Sequence, residues 1–237
     1  MILYATLGLC ATLAGLLVYR YDLYEREPWY MLVAMAAGEA EAFTIDRIGV
    51  GSVAGIALVA ATHEEWARFL VVALLAVVAP RQLNDPLDGL IYGSIVGLGM
   101  AVLESINHMA YLPAMPSALP PSELVRLLGH LVLGGITCYG IGLARMRVRH
   151  WPRWVIGGLT FGIAWHFLWD WIAFSSWTGE TFVWWHNAAA IGLMLSGLLV
   201  YGVLVMVGSN HSRDRFAPHD ARELWGWPFT VWRSTRS

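Results

Sequence analysis

A chain of 237 residues that is 57% hydrophobic and only 14% charged, with a mean hydropathy of +0.55, is too apolar for a water-soluble globule of its size. All 15 basic residues are arginine, and the net charge of −2 says nothing about nucleic acid, so the distribution of charge matters instead; no nucleic-acid partner is expected, and the lipid bilayer is the expected surrounding. Cys10 and Cys138 lie inside apolar runs, with spacing that suits neither a metal knuckle nor a disulfide framework.

Apolar segments long enough to cross a hydrocarbon core of roughly 30 Å fall near 2–19, 29–46, 62–79, 87–111, 122–144, 154–176 and 182–207. The first carries no basic residue ahead of its apolar run and an arginine after it, which predicts a retained span, not a cleaved signal peptide. The segment "VGSVAGIALVAA" at 50–61 is open to three readings: an extension of the third span, a re-entrant piece or a cavity lining.

Short cytoplasmic loops carry the excess of arginine and lysine. Arg20 and Arg26 follow the first span, Arg81 the third, and Arg145, Arg147, Arg149 and Arg153 the fifth, while only Arg47 falls on the other side. The expected fold is therefore all-α: a polytopic bundle of about seven transmembrane helices, N-terminus out and C-terminus in. Residues 1–207 form the membrane domain, and 208–237, with arginines and three tryptophans, an interfacial or disordered cytoplasmic tail.

Ionisable groups at bilayer depth cost a few kcal/mol each, so they usually face a bundle interior and mark function. Here they are Glu39, Glu41, Glu64, Glu65, Arg68, Glu104, His108, Arg126, His130, His166 and Asp170. In "THEEWAR", Glu64 and Arg68 are i,i+4 neighbours while Glu65 lies about 100° round the helix. Two adjacent carboxylates in low dielectric do not both ionise cheaply, so one is expected to hold a proton, as a general acid or base requires. The structural alternative is a Thr-x-x-Glu capping box, with Glu65 closing the start of the third helix.

Gly89, Gly93, Gly97 and Ala101 recur every four residues, a ridge that admits a close helical neighbour and ends one turn before Glu104. His108, a turn further on, reads as a satisfied interface histidine. Arg126 and His130, and His166 and Asp170, are i,i+4 pairs, the latter at the spacing by which a carboxylate orients an imidazole. At about 1.5 Å per residue, Glu64 and Glu65 fall near the outer end of their helix, and Glu104, His130, His166 and Asp170 also fall in the outer half, able to converge on one pocket.

"YDLYEREPWYMLV", "EEWAR", "DGLIYGSIVGLGMAVLES", "GHLVLGGITCYGIGLA" and "HFLWD" occur in the order that resembles the PrsW family of intramembrane proteases, within the superfamily of CAAX prenyl endopeptidases and bacteriocin-processing proteins. The resemblance implies hydrolysis of a membrane-protein or peptide substrate by glutamate-activated water, with Glu64 and Glu65 as the glutamate pair. Glu104 matches the fourth-span acid, His130 the middle histidine, and His166 with Asp170 the last motif. Three positions depart from the family's common residues: Arg68 replaces lysine, Ser105 asparagine, and Asp170 asparagine.

No serine or cysteine is paired with a base in a nucleophile motif, which also favours attack by water. Neither metal nor cofactor is expected, and a bacterial or archaeal cytoplasmic membrane is the expected setting. The alternatives are a zinc protease using two histidines and a glutamate, although no His-Glu-x-x-His spacing occurs, an inactive binding or scaffold homologue, and a proton-coupled transporter, for which no paired repeats are present.

Overall fold

The computed structural model describes residues 2–21, 27–30, 33, 52–110, 118–177 and 184–216, with a two-residue strand pair, Arg222–Glu223 and Trp232–Arg233. Among the described residues there are six long helices: α1 Ile2–Tyr19, α2 Val53–Val78, α3 Pro86–Ala110, α4 Pro121–Arg145, α5 Trp151–Trp177 and α6 Trp184–Phe216. Four segments, Ile2–Tyr19, Pro86–Ala110, Pro121–Arg145 and Ala188–Phe216, are long and apolar enough to cross a membrane. Apart from residues 29, 30 and 33, the expected span at 29–46, with Glu39 and Glu41, lies outside the described residues, and so does Arg47.

The sequence left residues 50–61 open, and the structure makes 53–61 the first turns of α2, with Ser52 Oγ accepting the Gly55 N–H at 3.1 Å as N-cap. This overturns the capping-box reading of Glu65, which sits in the middle of a 26-residue helix, and it moves Glu64 and Glu65 from the helix end to its centre. The last helix likewise runs past 207 to Phe216, so the tail begins as regular helix.

Helices α3 and α4 form the centre and are buried almost all round through much of their length, as expected of helices surrounded by others. Their antiparallel contact is a glycine seam. A Cβ at Gly97 would overlap the His130 carbonyl oxygen, one at Gly93 would overlap that of Gly134, and one at Gly89 would lie 2.6 Å from that of Cys138. The ridge read from the sequence therefore brings backbone against backbone, and it seats the turn carrying His130 directly on α3. On α5, Gly162 serves the same purpose: its Cβ would overlap Thr137 Oγ1 and lie 3.1 Å from Glu65 Oε2.

The helix ends bearing Arg20, Arg81, Arg145, Arg153, Arg213 and Arg215 gather at one end of the bundle, where Arg145 Nη2 donates to the Pro80 carbonyl at 3.3 Å and Gly208 packs on Leu87. At this end α3 begins with a reciprocal cap: Asp85 Oδ1 accepts the N–H groups of Leu87 (2.6 Å) and Asp88 (3.1 Å), and Asp88 Oδ2 those of Asn84 (2.6 Å) and Asp85 (2.7 Å).

Candidate functional site

Away from the arginine-bearing end, four helices bring their ionisable residues to one level. Counting 1.5 Å per residue, Glu64, His130 and His166 lie roughly 21–22 Å from that end of their helices, and Glu104 and Asp170 roughly 27–28 Å. All five face one another although they come from α2, α3, α4 and α5.

Glu65 is the best-satisfied member and is fully buried. Its Oε1 accepts from Arg68 Nη1 and from His166 Nδ1 at 2.9 Å, and its Oε2 accepts from the Thr137 hydroxyl at 2.6 Å. Glu64, its neighbour, instead faces a cavity of about 570 Å³. Glu64 Oε2 lies 3.1 Å from Arg68 Nη2, 3.4 Å from His166 Nε2 and 3.9 Å from His130 Nδ1. One residue of sequence separates a carboxylate enclosed by donors from one that meets open space.

Arg68 also approaches His130 Nδ1 at 2.5 Å and Met100 Sδ at 3.0 Å. Because guanidinium only donates, this contact assigns Nδ1 of His130 as acceptor and places its proton on Nε2, which points at Glu104 Oε2 3.0 Å away. Glu104 is backed by Arg126 at 3.4 Å, Arg126 by Glu123 at 3.2 Å, and Glu123 by His108 at 2.8 Å. The two imidazoles stand edge to face with centroids 5.3 Å apart.

The expected orienting pair of His166 and Asp170 needs revision. Their Nε2 to Oδ2 separation is 3.6 Å, an ion-pair distance but too long for a hydrogen bond, and the carboxylate that holds the ring is Glu65. His108 is where its interface reading put it, bonded to Glu123 on the cavity rim and outside the inner cluster. Thr137 was missed, although it lies two turns beyond His130 on the same face of α4, and Met100 and Glu123 carried no sequence signal of their own.

The donor set fits a divalent cation. Ligand atoms of Glu64, His130 and His166 all lie within 4.8 Å of one another. Tetrahedral zinc with bonds of about 2.0–2.1 Å holds its ligand atoms roughly 3.4 Å apart, close to the 3.4 and 3.9 Å separating Glu64 Oε2 from the two histidines. His166 Nδ1 bonds to Glu65, a carboxylate on the far ring nitrogen such as metal-bound histidines usually have.

The cavity has a polar floor of Glu64, Glu104, His130 and Asp170 and a wall from the end of α5 and the first turns of α6 that is apolar except for His186. Polar groups converging in an apolar recess are the usual form of an active site. No curated protein and no solved structure matches the chain. The family model described as PrsW family intramembrane metalloprotease matches residues 27–208, which hold every residue of this cluster, and the chain belongs to that family of membrane-embedded proteases.

Proposed function

We propose that this integral membrane protease cleaves a peptide bond of a membrane-protein substrate at the Glu64, His130 and His166 cluster, in the outer half of the bilayer. The observation that carries the reading is that these three side chains, from three helices, bring ligand atoms within 4.8 Å of one another, Glu64 and His130 at the floor of a cavity and His166 buried 3.4 Å from Glu64. Glu64 is the base: it alone of the glutamate pair faces the cavity, and it takes a proton from water attacking the scissile carbonyl. Glu65 is a positioning residue whose oxygens are engaged by Arg68, His166 and Thr137. His166, held at Nδ1 by Glu65, offers Nε2–H to the developing oxyanion, with Asp170 nearby to balance its charge. His130 carries the proton between the Glu64 side and Glu104, and Arg126 holds Glu104 in place. Preorganised donors of this kind are typically worth a few kcal/mol of barrier.

The fit of the three ligand atoms, together with the family's description as metalloproteases, favours a second reading in which Glu64, His130 and His166 hold a divalent ion. Bound there, the ion would polarise the carbonyl and acidify a water. In that setting Glu65 fixes His166 through Nδ1, and Glu104 and Asp170 are the carboxylates of the cavity that can hold a proton.

The test is purified protein in proteoliposomes with single-span reporter substrates, with and without a chelator. Cleavage lost in Glu64→Gln supports the assignment of the site, and a variant that keeps most of its turnover sinks it. Inhibition by chelator together with one metal per chain, lost in His130→Ala, selects the metal reading; chelator-resistant turnover selects metal-free water.

Orientation follows from the arginines gathered at one end, which by the positive-inside rule is cytoplasmic. A cysteine replacing Ala118 is expected to react with an impermeant thiol reagent in intact cells, and one replacing Arg149 only after lysis. The reverse pattern would put the site in the inner half.

A further inference from the structure

The apolar wall of the cavity has features that the chemistry at its floor does not require. Ile191 and Leu195 of α6 line the cavity and are 60% and 61% exposed, so this wall is open where they stand. Between them, Met194 points inward. An ideal Cβ on Gly129 would lie 3.7 Å from Met194 Cε, so the end of that side chain rests on the turn of α4 just before His130.

Met194 is held in place from the catalytic side. Trp165 of α5 donates its indole N–H to the Leu193 carbonyl at 2.9 Å and approaches Ser196 Oγ at 3.3 Å, on either side of Met194 in sequence. Gly197 lets the indole come close, since a Cβ there would meet the ring at 3.2–3.3 Å. Trp165 is the residue before His166, so one turn of α5 sets both the imidazole that meets Glu64 and the register of the wall.

Resting on the reading of the floor as the peptidase site, we infer that this wall is a specificity subsite for one large apolar side chain next to the scissile bond, and that Met194 sets how large. The occupant is a residue of the substrate's own membrane span, entering sideways past Ile191 and Leu195. A cavity of about 570 Å³ holds a short stretch of extended chain together with one such side chain, within the usual range for small-molecule and peptide sites. Methionine suits the role because its unbranched thioether adapts to different apolar partners, while its contact over Gly129 limits depth.

The experiment measures kcat/KM for reporter substrates carrying Ala, Leu, Phe or Trp at each position flanking the cleaved bond. Wild type is expected to prefer Leu and Phe. Met194→Ala shifts the preference towards Trp and Met194→Trp towards Ala, each by about tenfold to a hundredfold, the discrimination an apolar pocket gives for a change of this size, while Met194→Leu keeps the wild-type order. Unchanged preference in both size variants, with turnover intact, overturns the subsite. A second measurement does not depend on turnover: a photo-crosslinking residue at the same substrate position, bound to Glu64→Gln protein, should attach near Met194. If wild type cleaves no reporter but the crosslink forms there, the peptidase reading fails and the subsite stands; a crosslink elsewhere in the bundle overturns the subsite.

Discussion

Two groups of buried acids lie at opposite levels of this bundle and differ in what satisfies them. At the arginine-bearing end, Asp85 and Asp88 are almost wholly buried, and their oxygens accept backbone N–H groups within four residues, with the Ser212 hydroxyl of α6 also against Asp85. At the other level, the buried Glu64 and Glu65 and the half-buried Glu104 are met by His130, His166, Thr137 and Arg126 from other helices, with Arg68 of α2 itself joining the glutamate pair. Burial alone therefore does not identify a reactive carboxylate. A helix start needs acceptors for its orphan N–H groups and obtains them locally, whereas the acids of the other level are positioned by the tertiary fold, and of the adjacent glutamates only Glu64 faces the cavity. Burial lifts the Asp85 carboxyl above its usual range, opposed by the Ser212 hydroxyl and the N–H groups it caps.

The largest expected effect is at the cavity-facing acid. Glu64→Gln should reduce turnover at least about a thousandfold, comparable with losing a principal catalytic interaction, with the melting temperature nearly unchanged. Equal losses from Glu64→Gln and Asp85→Asn would erase the distinction between the two groups.

Next comes the seam that sets the distances between helices. Gly97→Ala forces a methyl group onto the His130 carbonyl, and overpacking of this kind typically costs about 1–3 kcal/mol. Because the site depends on the spacing of separate helices, activity should fall further than thermal stability predicts. Activity tracking the folded fraction alone would show that the seam does not position His130.

Removing the cap acceptor with Asp85→Ala should destabilise by about 1 kcal/mol while leaving the kcat/KM of the folded fraction intact, read by thermal unfolding in detergent and by turnover. Smallest of all is the charge on that cap. A carboxyl raised in the folded state contributes fully below its unfolded value near pH 4 and loses that contribution as pH rises through the folded value. Asp85→Asn keeps an N-cap acceptor, so its stability relative to wild type should increase with pH above about 4, by less than about 1 kcal/mol. A difference that shrinks over the same range would mean that the charged cap is the stabilising form.

By itself the sequence determined the membrane class, the five motifs, the small-residue ridge of α3 and the side chains on which to look for chemistry, because hydropathy, residue type and spacing along a helix are local properties. The i,i+4 relation of Glu64 to Arg68 appears as a 3.1 Å contact for the same reason. Tertiary structure alone decided the start of α2, since Ser52 and Thr62 both offer a hydroxyl to a helix start and only the folded chain chooses between them. It also decided which of two adjacent glutamates is enclosed and which is open, because that depends on Thr137 and His166, 72 and 101 residues further along the chain. The partner of His166 could not be read from i,i+4 spacing for the same reason: Glu65 reaches Nδ1 across the helix interface, where the absence of a side chain at Gly162 lets α5 approach.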